Sequence, residues 1–372
     1  MDIWWNTIMT IALFGFTLLS AVQALVIACT VNNITEQRKS AERLDNIWSS
    51  GTNPSSVYKY YGSKTQVSEA DSLRKFLRAF EVCTDDLSHI LLCRIADGII
   101  SYGSSKACLK RHRLLIKADA VSSLIRALRS RFKEYFLNSE CKPDKAEREA
   151  LSGVADDAIA ALILVIGAKG IYYYPRLTLK IRVGGLLTSL CNLLNRDDYS
   201  LLSPILLKLL CRSLRSPRNG QLAGRHRGLP NKLLARISVF DQSDPHQLLL
   251  LARHLEILYF ISKNRKTRVL LISEGIVACL LSVVERHFEW RKIESQGKEV
   301  INLHLEVCLV SLALLRLLAN IKKAKADLVS RGTVTLCERA MRELGLEENE
   351  EESAVKQLQV IDVVTVAFIF LY

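Results

Sequence analysis

Ile272-Ser273-Glu274-Gly275-Ile276 and Val329-Ser330-Arg331-Gly332-Thr333 are one phrase written twice. Looser copies precede them at Ile116-Lys117-Ala118-Asp119-Ala120, Ile181-Arg182-Val183-Gly184-Gly185 and Arg225-His226-Arg227-Gly228-Leu229. Each copy closes a basic, amphipathic segment and opens an apolar stretch at helical spacing. Anchored on Asp119, Gly185, Gly228, Gly275 and Gly332, the fifth residue onward reads Leu124, Leu190, Leu233, Leu280, Cys337. The ninth reads Leu128, Leu194, Ile237, Val284, Met341. Both columns stay apolar through every copy. A repeated helix–Gly–helix unit cannot bury its apolar face alone and must stack on its neighbours. The expected fold is all-α: an armadillo- or HEAT-like helical solenoid.

Reading outward from the anchors, a basic first helix ends near the Gly, a second helix carries the two columns, and a long third helix leads into the next unit. The anchors are spaced 66, 43, 47 and 57 residues apart. Armadillo and HEAT units run about 40–47 residues, so the middle spacings fit directly. The outer two call for insertions, placed at 133–150 and 287–300. The stretch 219–232, with Gly220, Gly224 and Gly228, reads as a weak helix and the least regular unit.

The chain of 372 residues has room for one large or two to three ordinary domains, and a solenoid core grows along one axis. Seven prolines and 17 glycines are too few for a disordered chain. Pro54, Pro143, Pro175, Pro217 and Pro230 fall at helix boundaries, where the missing N–H costs least. The ten cysteines are scattered without a CxxC, the pattern of a reduced, cytosolic protein.

The net charge is +13, and the cations cluster. Arg212, Arg215, Arg218, Arg225, Arg227, Lys232 and Arg236 share one stretch without an acid; Lys106, Lys110, Arg111, Arg113 and Lys117 form a second; Lys263, Arg265, Lys266 and Arg268 a third. Two readings stand. One is a surface for acidic protein tails, nucleic acid or anionic lipid. The other is a set of solvated first helices whose cations sit near helix C-termini, where the dipole favours them.

Residues 3–35 carry no charged side chain, and 8–31 form a run of mostly apolar residues. At about 1.5 Å per residue that run crosses a hydrocarbon core of roughly 30 Å. Trp4 and Trp5 flank one end, and Arg38, Lys39 and Arg43 follow the other. The positive-inside rule then puts the bulk of the chain in the cytosol behind a membrane anchor. A cleaved signal peptide would need a basic leading region, which is absent. If residues 1–35 stem from an alternative start, the protein is cytosolic. The expected domains are an anchor at 1–35, a polar linker at 36–70, armadillo-like repeats at 71–345, and an acidic loop with an apolar tail at 346–372.

Catalytic chemistry is not legible. Three H-x-E pairs occur, His254/Glu256, His287/Glu289 and His304/Glu306. On a helix, residues two apart point to different faces, so these pairs do not chelate a metal. HExxH, HxxE, GxSxG, GxxxxGK and GxGxxG are all missing. No metal, cofactor or enzymatic activity is expected of this chain as given.

Leu317-Leu318-Ala319-Asn320-Ile321, followed by Lys325-Ala326-Asp327-Leu328-Val329-Ser330-Arg331-Gly332, resembles an armadillo third helix ending in Asn and a first helix ending in Gly. Residues 179–194, with 204–214 and Ser216-Pro217-Arg218-Asn219, resemble the N-terminal helical region of the cytosolic carboxypeptidases. Those zinc peptidases trim glutamates from tubulin tails, and the resemblance covers roughly residues 75–345. Their HxxE-bearing catalytic domain has no counterpart before Tyr372, and an N-terminal anchor is foreign to them. The resemblance implies a non-catalytic protein-binding scaffold with a possible acidic, tubulin-like partner; nucleic acid is the less favoured ligand. The alternative it implies is a truncated portion of a zinc carboxypeptidase acting on glutamylated tubulin, with the peptidase part missing. The apolar tail at 360–372 fits the end of such a product.

In armadillo proteins the third helices line a peptide groove. Aligned on Gly275 and Gly332, Lys263 takes the place of Asn320, and Tyr259 that of Arg316. The resemblance therefore implies partner-binding residues Tyr259, Lys263, Arg316 and Asn320. The competing reading packs Tyr259 in the core and uses Asn320 to cap its own helix. The acidic run Glu347, Glu348, Glu350, Glu351 and Glu352 reads as a solvated loop, or as an occupant of the basic surface in cis.

Overall fold

The computed structural model describes residues 2–31, 33–50, 67–101, 104–137, 145–173, 177–196, 203–241, 243–290 and 298–332. Among the described residues all seventeen regular elements are α-helices. Cys337, Met341, the acidic run and the apolar tail lie outside them, as do Pro54, Pro143 and Pro175. The chain divides into two compact units, Met1–Ser189 and Leu190–Tyr372.

The five anchors are the described residues with positive φ: Asp119 at 63°, Gly185 at 77°, Gly228 at 78°, Gly275 at 84° and Gly332 at 71°. A left-handed residue just past a helix turns the chain sharply, and only glycine adopts it without a Cβ penalty. At Asp119 a short acidic side chain substitutes: it accepts a bond from Ser122 Oγ at 2.9 Å and pairs with Lys180. The anchor's own carbonyl then opens the next helix, accepting from Ser123, Ser189 and Cys279 at the first, second and fourth corners. At two corners the flanking helices bend by 74° and 79°.

Unit 1 holds α1 (Asp2–Val31), α2 (Ile34–Ser49), α3 (Val67–Val82), α4 (Asp86–Ser101), α5 (Ser105–Lys117), α6 (Ala120–Leu137), α7 (Lys145–Tyr173) and α8 (Leu177–Val183). Two ladders run through it: α1 packs on α3 and α3 on α6, while α2 packs on α4 and α4 on α7. The side chains of α1 are described from Thr17 onward. Leu18, Val22, Leu25 and Cys29 are wholly buried, and Thr17, Ser20, Ala24, Ile27 and Val31 form the exposed stripe. The part of the apolar run from residue 18 to 29 is thus engaged with α2 and α3.

The polar stretch expected as a linker from residue 36 is instead helical as far as Ser49. Asn33 caps α2 by accepting from Glu36 N, Arg38 pairs with Glu42 one turn on, and Ala41 and Leu44 are buried. Buried Gln37 joins α2 to α4, its Oε1 accepting from the backbone N–H groups of Thr84 and Asp85 at 3.1 and 3.2 Å. These bonds satisfy donors at the start of α4 that the helix leaves open. A low apolar content hid this helix, because it buries few residues and satisfies many polar groups.

The division between units falls within α9 (Leu186–Leu194). Unit 2 continues with α10 (Pro204–Leu214), α11 (Pro217–Gly224), α12 (Leu229–Ile237), α13 (Pro245–Ile261), α14 (Arg265–Ser273), α15 (Ile276–Trp290), α16 (Lys298–Ala319) and α17 (Lys322–Ser330). The third helices stack in order, α10 on α13 and α13 on α16. The second helices α12 and α15 also touch, and first helices α14 and α17 lean on the second helix of the repeat before. Proline opens α10, α11, α12 and α13, where its fixed φ suits the first turn.

Leu124, Leu190, Leu233 and Leu280 are buried, and so are Leu128, Leu194, Ile237 and Val284. Each such side chain contributes about 1.5–3 kcal/mol of transfer free energy. The glycine-rich stretch 219–232 is the end of α11, a turn at 225–228 and the start of α12. A Cβ on Gly220 would stand 2.9 Å from the Phe260 carbonyl oxygen, and one on Gly224 would stand 2.7 Å from Thr267 Oγ1. These glycines let α11 lie against α13 at backbone distance, and Asn219 steadies the turn by donating to Ser213 O at 2.9 Å. The expected insertions also serve as helix: 133–137 and 145–150 extend α6 and α7, while 287–290 and 298–300 extend α15 and α16.

Candidate functional site

Each third helix of unit 2 buries one face and leaves another half-exposed. On α10 that outer face carries Lys208, Arg212 and Arg215; on α13 Arg253, Glu256, Phe260 and then Lys263; on α16 Glu306, Arg316 and then Asn320. Spacings of three and four residues keep the α10 and α13 sets, and the pair Arg316 and Asn320, on one side of their helices.

Tyr259 and Lys263 form a cluster at the end of α13. The Lys263 ammonium lies 5.0 Å from the centroid of the Tyr259 ring and 5.0 Å from that of Phe260. The two rings meet edge to face at 5.5 Å. Tyr259 is half-buried and Lys263 exposed. Arg316 and Asn320 occupy the matching end of α16, half-buried and exposed respectively. Asn320 directly follows α16, at the C-terminal end of its own helix, and the N-cap of α17 is Ile321, which offers no side-chain bond. The cap at the equivalent corner is Asn264, one residue past Lys263, accepting from Lys266 N at 3.0 Å. Among the described residues no hydrogen bond or ion pair joins Tyr259 and Lys263 to Arg316 and Asn320; the two pairs sit at equivalent ends of adjacent, packed helices.

A feature not read from the sequence ties those helices together. Arg253 on α13 donates to Glu256 at 2.8 Å and reaches Glu306 on α16 at 2.9 Å. Burial works against the Arg253 charge, but Glu306 and Glu256 more than offset it and raise its pKa. Burial pushes the thiol of neighbouring Cys211 well above its ordinary value, with Glu256 adding to the effect. The partners are 53 residues apart in sequence, so no local pattern announces them.

The H-x-E pairs divide as helix geometry requires. His254 is buried, its Nδ1 2.7 Å from Leu250 O and its ring against Phe240, whereas Glu256 faces Arg253. Burial lowers the His254 pKa to about 4. His304 is likewise buried and its pKa lowered, while Glu306 joins the ion pair. The His287 side chain lies outside the described residues. Among the described residues no three His, Cys, Asp or Glu side chains converge as metal ligands would.

The basic clusters split in two. Lys232 and Arg236 meet the helix-end expectation: Lys232 donates to Asn195 O, and Arg236 to Leu194 O at 2.6 Å and to Arg196 O, all at the end of α9. Lys117, Lys180 and Arg182, in the last turns of α5 and α8, meet it too, but the cations that open the first helices of unit 2 do not. Arg218 lies in the opening turn of α11, Arg265, Lys266 and Arg268 in that of α14, and Lys322, Lys323 and Lys325 in that of α17. None of these opening turns contains an acid, and a helix N-terminus disfavours positive charge.

No protein-family model matches the chain. Among solved structures, the crystal structure of an engineered protein from the Northeast Structural Genomics Consortium is similar over 94% of this chain and 98% of that chain, at 12% sequence identity and a TM-score of 0.32. A likeness that distant carries no functional argument.

Proposed function

We propose that this chain is a non-catalytic, protein-binding scaffold built from armadillo-like repeats. One observation carries the reading: α10, α13 and α16 stack in order and present their half-exposed faces in series. Lys208, Arg212, Arg215, Lys263 and Arg316 on those faces have no carboxylate within ion-pair distance among the described residues, whereas Arg253 is neutralised by two. The surplus of unpaired cations fits an extended acidic peptide, the kind of ligand that a glutamate-rich, tubulin-like tail would supply.

The test is the anisotropy of a labelled decaglutamate peptide titrated with full-length protein. Reversing Lys263 and Arg316 together (Lys263→Glu, Arg316→Glu) weakens binding at least 10-fold at about 0.1 M salt. Unchanged affinity in the double variant removes the third-helix face as the site.

Membrane attachment through residues 8–31 belongs to the same proposal, on separate ground. Insertion and the packing of Leu18, Val22, Leu25 and Cys29 use the same side chains, so the two arrangements exclude one another. Resistance of the full chain to carbonate extraction supports the cytosol-facing anchor. Release into the soluble fraction supports the packed helix.

A further inference from the structure

The first helices of unit 2 pair their opening cations with exposed aliphatic side chains one turn later. On α11, Arg218 is followed by Leu222, 43% exposed. On α14, Arg265 and Lys266 are followed by Val269 and Leu270, 52% and 39% exposed. On α17, Lys322 and Lys323 are followed by Ala326 and Val329, the latter 50% exposed. Residues three, four and seven apart share a helix face, so cation and aliphatic side chains point outward together. The inward faces are accounted for separately by Asn219 and Ala223, by Thr267, Leu271 and Ile272, and by Ala324 and Leu328.

Neither half of this pattern serves the fold. The cations oppose the helix dipole and crowd each other: burial and neighbouring Arg265 both lower the Arg268 pKa. The aliphatic groups Leu222, Val269, Leu270 and Val329 stay 39–52% exposed, where burial would have stabilised them. Local choices that conflict with stability mark sites under another demand. Because α14 and α17 lean on α12 and α15 in the same way, their outward faces recur along one side of unit 2.

We propose that this side of unit 2 docks on an anionic lipid surface, with Arg265, Lys266, Lys322 and Lys323 meeting headgroups and Val269, Leu270 and Val329 entering the headgroup–acyl boundary. The combination of basic and aliphatic groups on one helix face is what such a surface selects. An acidic peptide would account for the cations but leave the exposed aliphatics without a role. Single-stranded nucleic acid needs aromatic platforms for its bases, and α11, α14 and α17 contain no aromatic residue. The acids on these helices are few: Asp327 is already paired with Arg331, and Glu274 follows α14.

The test is flotation of the full chain with phosphatidylcholine vesicles containing about one-third phosphatidylserine, against pure phosphatidylcholine vesicles. The protein floats with the anionic vesicles in preference to the neutral ones. Reversing Arg265, Lys266, Lys322 and Lys323 to Glu lowers partitioning roughly 100-fold. Val269→Ser with Leu270→Ser lowers it about 10-fold and leaves decaglutamate binding unchanged. All substituted positions are exposed, and an unchanged thermal melt confirms that the variants fold. Equal flotation with both vesicle types, indifferent to charge reversal, would assign membrane binding to α1 and overturn the proposal. So would a charge-reversed variant that loses decaglutamate or oligouridylate while the aliphatic variant still floats normally. The peptide-binding reading stands or falls on Lys263 and Arg316, which none of these variants touches.

Discussion

α1 and α16 are both long and apolar, 30 and 22 residues, and lie in different units. By length and composition alone α16 also passes for a membrane span, with a mean hydropathy of 1.8 over a window in Glu299–Ala319. Yet it places Glu306 against Arg253, keeps Arg316 on its outer face and buries Leu312, Leu315 and Leu318. α1, from Thr17 onward, has no charge on any face. The Ser20 and Thr30 hydroxyls donate to backbone carbonyls one turn back, at 3.2 and 2.7 Å, so they need no water. Average hydropathy does not separate a core helix from one that tolerates an apolar exterior; the angular position of the charges does.

The sharpest way to break this contrast is to put a charge on each side of α1. Leu25→Asp buries an unpaired carboxylate between α1 and its neighbours and costs more than about 4 kcal/mol, or unfolds unit 1. Ala24→Asp, one residue away on the exposed stripe, costs less than about 0.5 kcal/mol. Thermal melts by circular dichroism read both, and equal effects would show that α1 is not packed as described.

On the side of α16 the lever is proton uptake by its neighbour α13. The folded His254 pKa of about 4 lies below the ordinary value of 6.5, so the unfolded chain binds the proton first. Stability is complete above about pH 6.5 and falls as the pH drops toward 4, by roughly 3 kcal/mol in all. Urea unfolding across that range, with His254→Phe as the comparison, should show the slope in the parent and a shallower one in the variant.

Corners give the smallest contrast between the units. Gly275 has open space around it, so Gly275→Ala meets only the strain of φ 84° and costs about 1 kcal/mol. Asp119→Gly relieves similar strain but loses the Lys180 pair and the Ser122 bond, leaving stability within about 0.5 kcal/mol of the parent. Chemical denaturation midpoints measure both, and a loss above 1 kcal/mol for Asp119→Gly would make the Asp119 contacts the stronger term.

The corners were legible because a left-handed residue almost requires glycine, and because the columns five and nine residues later must be buried. Tyr259, Lys263, Arg316 and Asn320 could be placed for the same reason: equivalent distances from a corner give equivalent places on the third helices. Three features were not legible. α2 buries Gln37 by satisfying backbone donors some 47 residues away, which leaves no apolar period to read. Gly220 and Gly224 look like helix breakers unless one knows that Phe260 and Thr267 approach them. Arg253 and Glu306 meet only because α13 and α16 stack.

The two-residue joints at 118–119, 184–185 and 274–275 also constrain how such a chain can change length. One added residue there would swing the following helix by roughly 100° about its axis and turn its buried Leu column toward solvent. Natural variants that differ in length should therefore keep these corners at constant spacing.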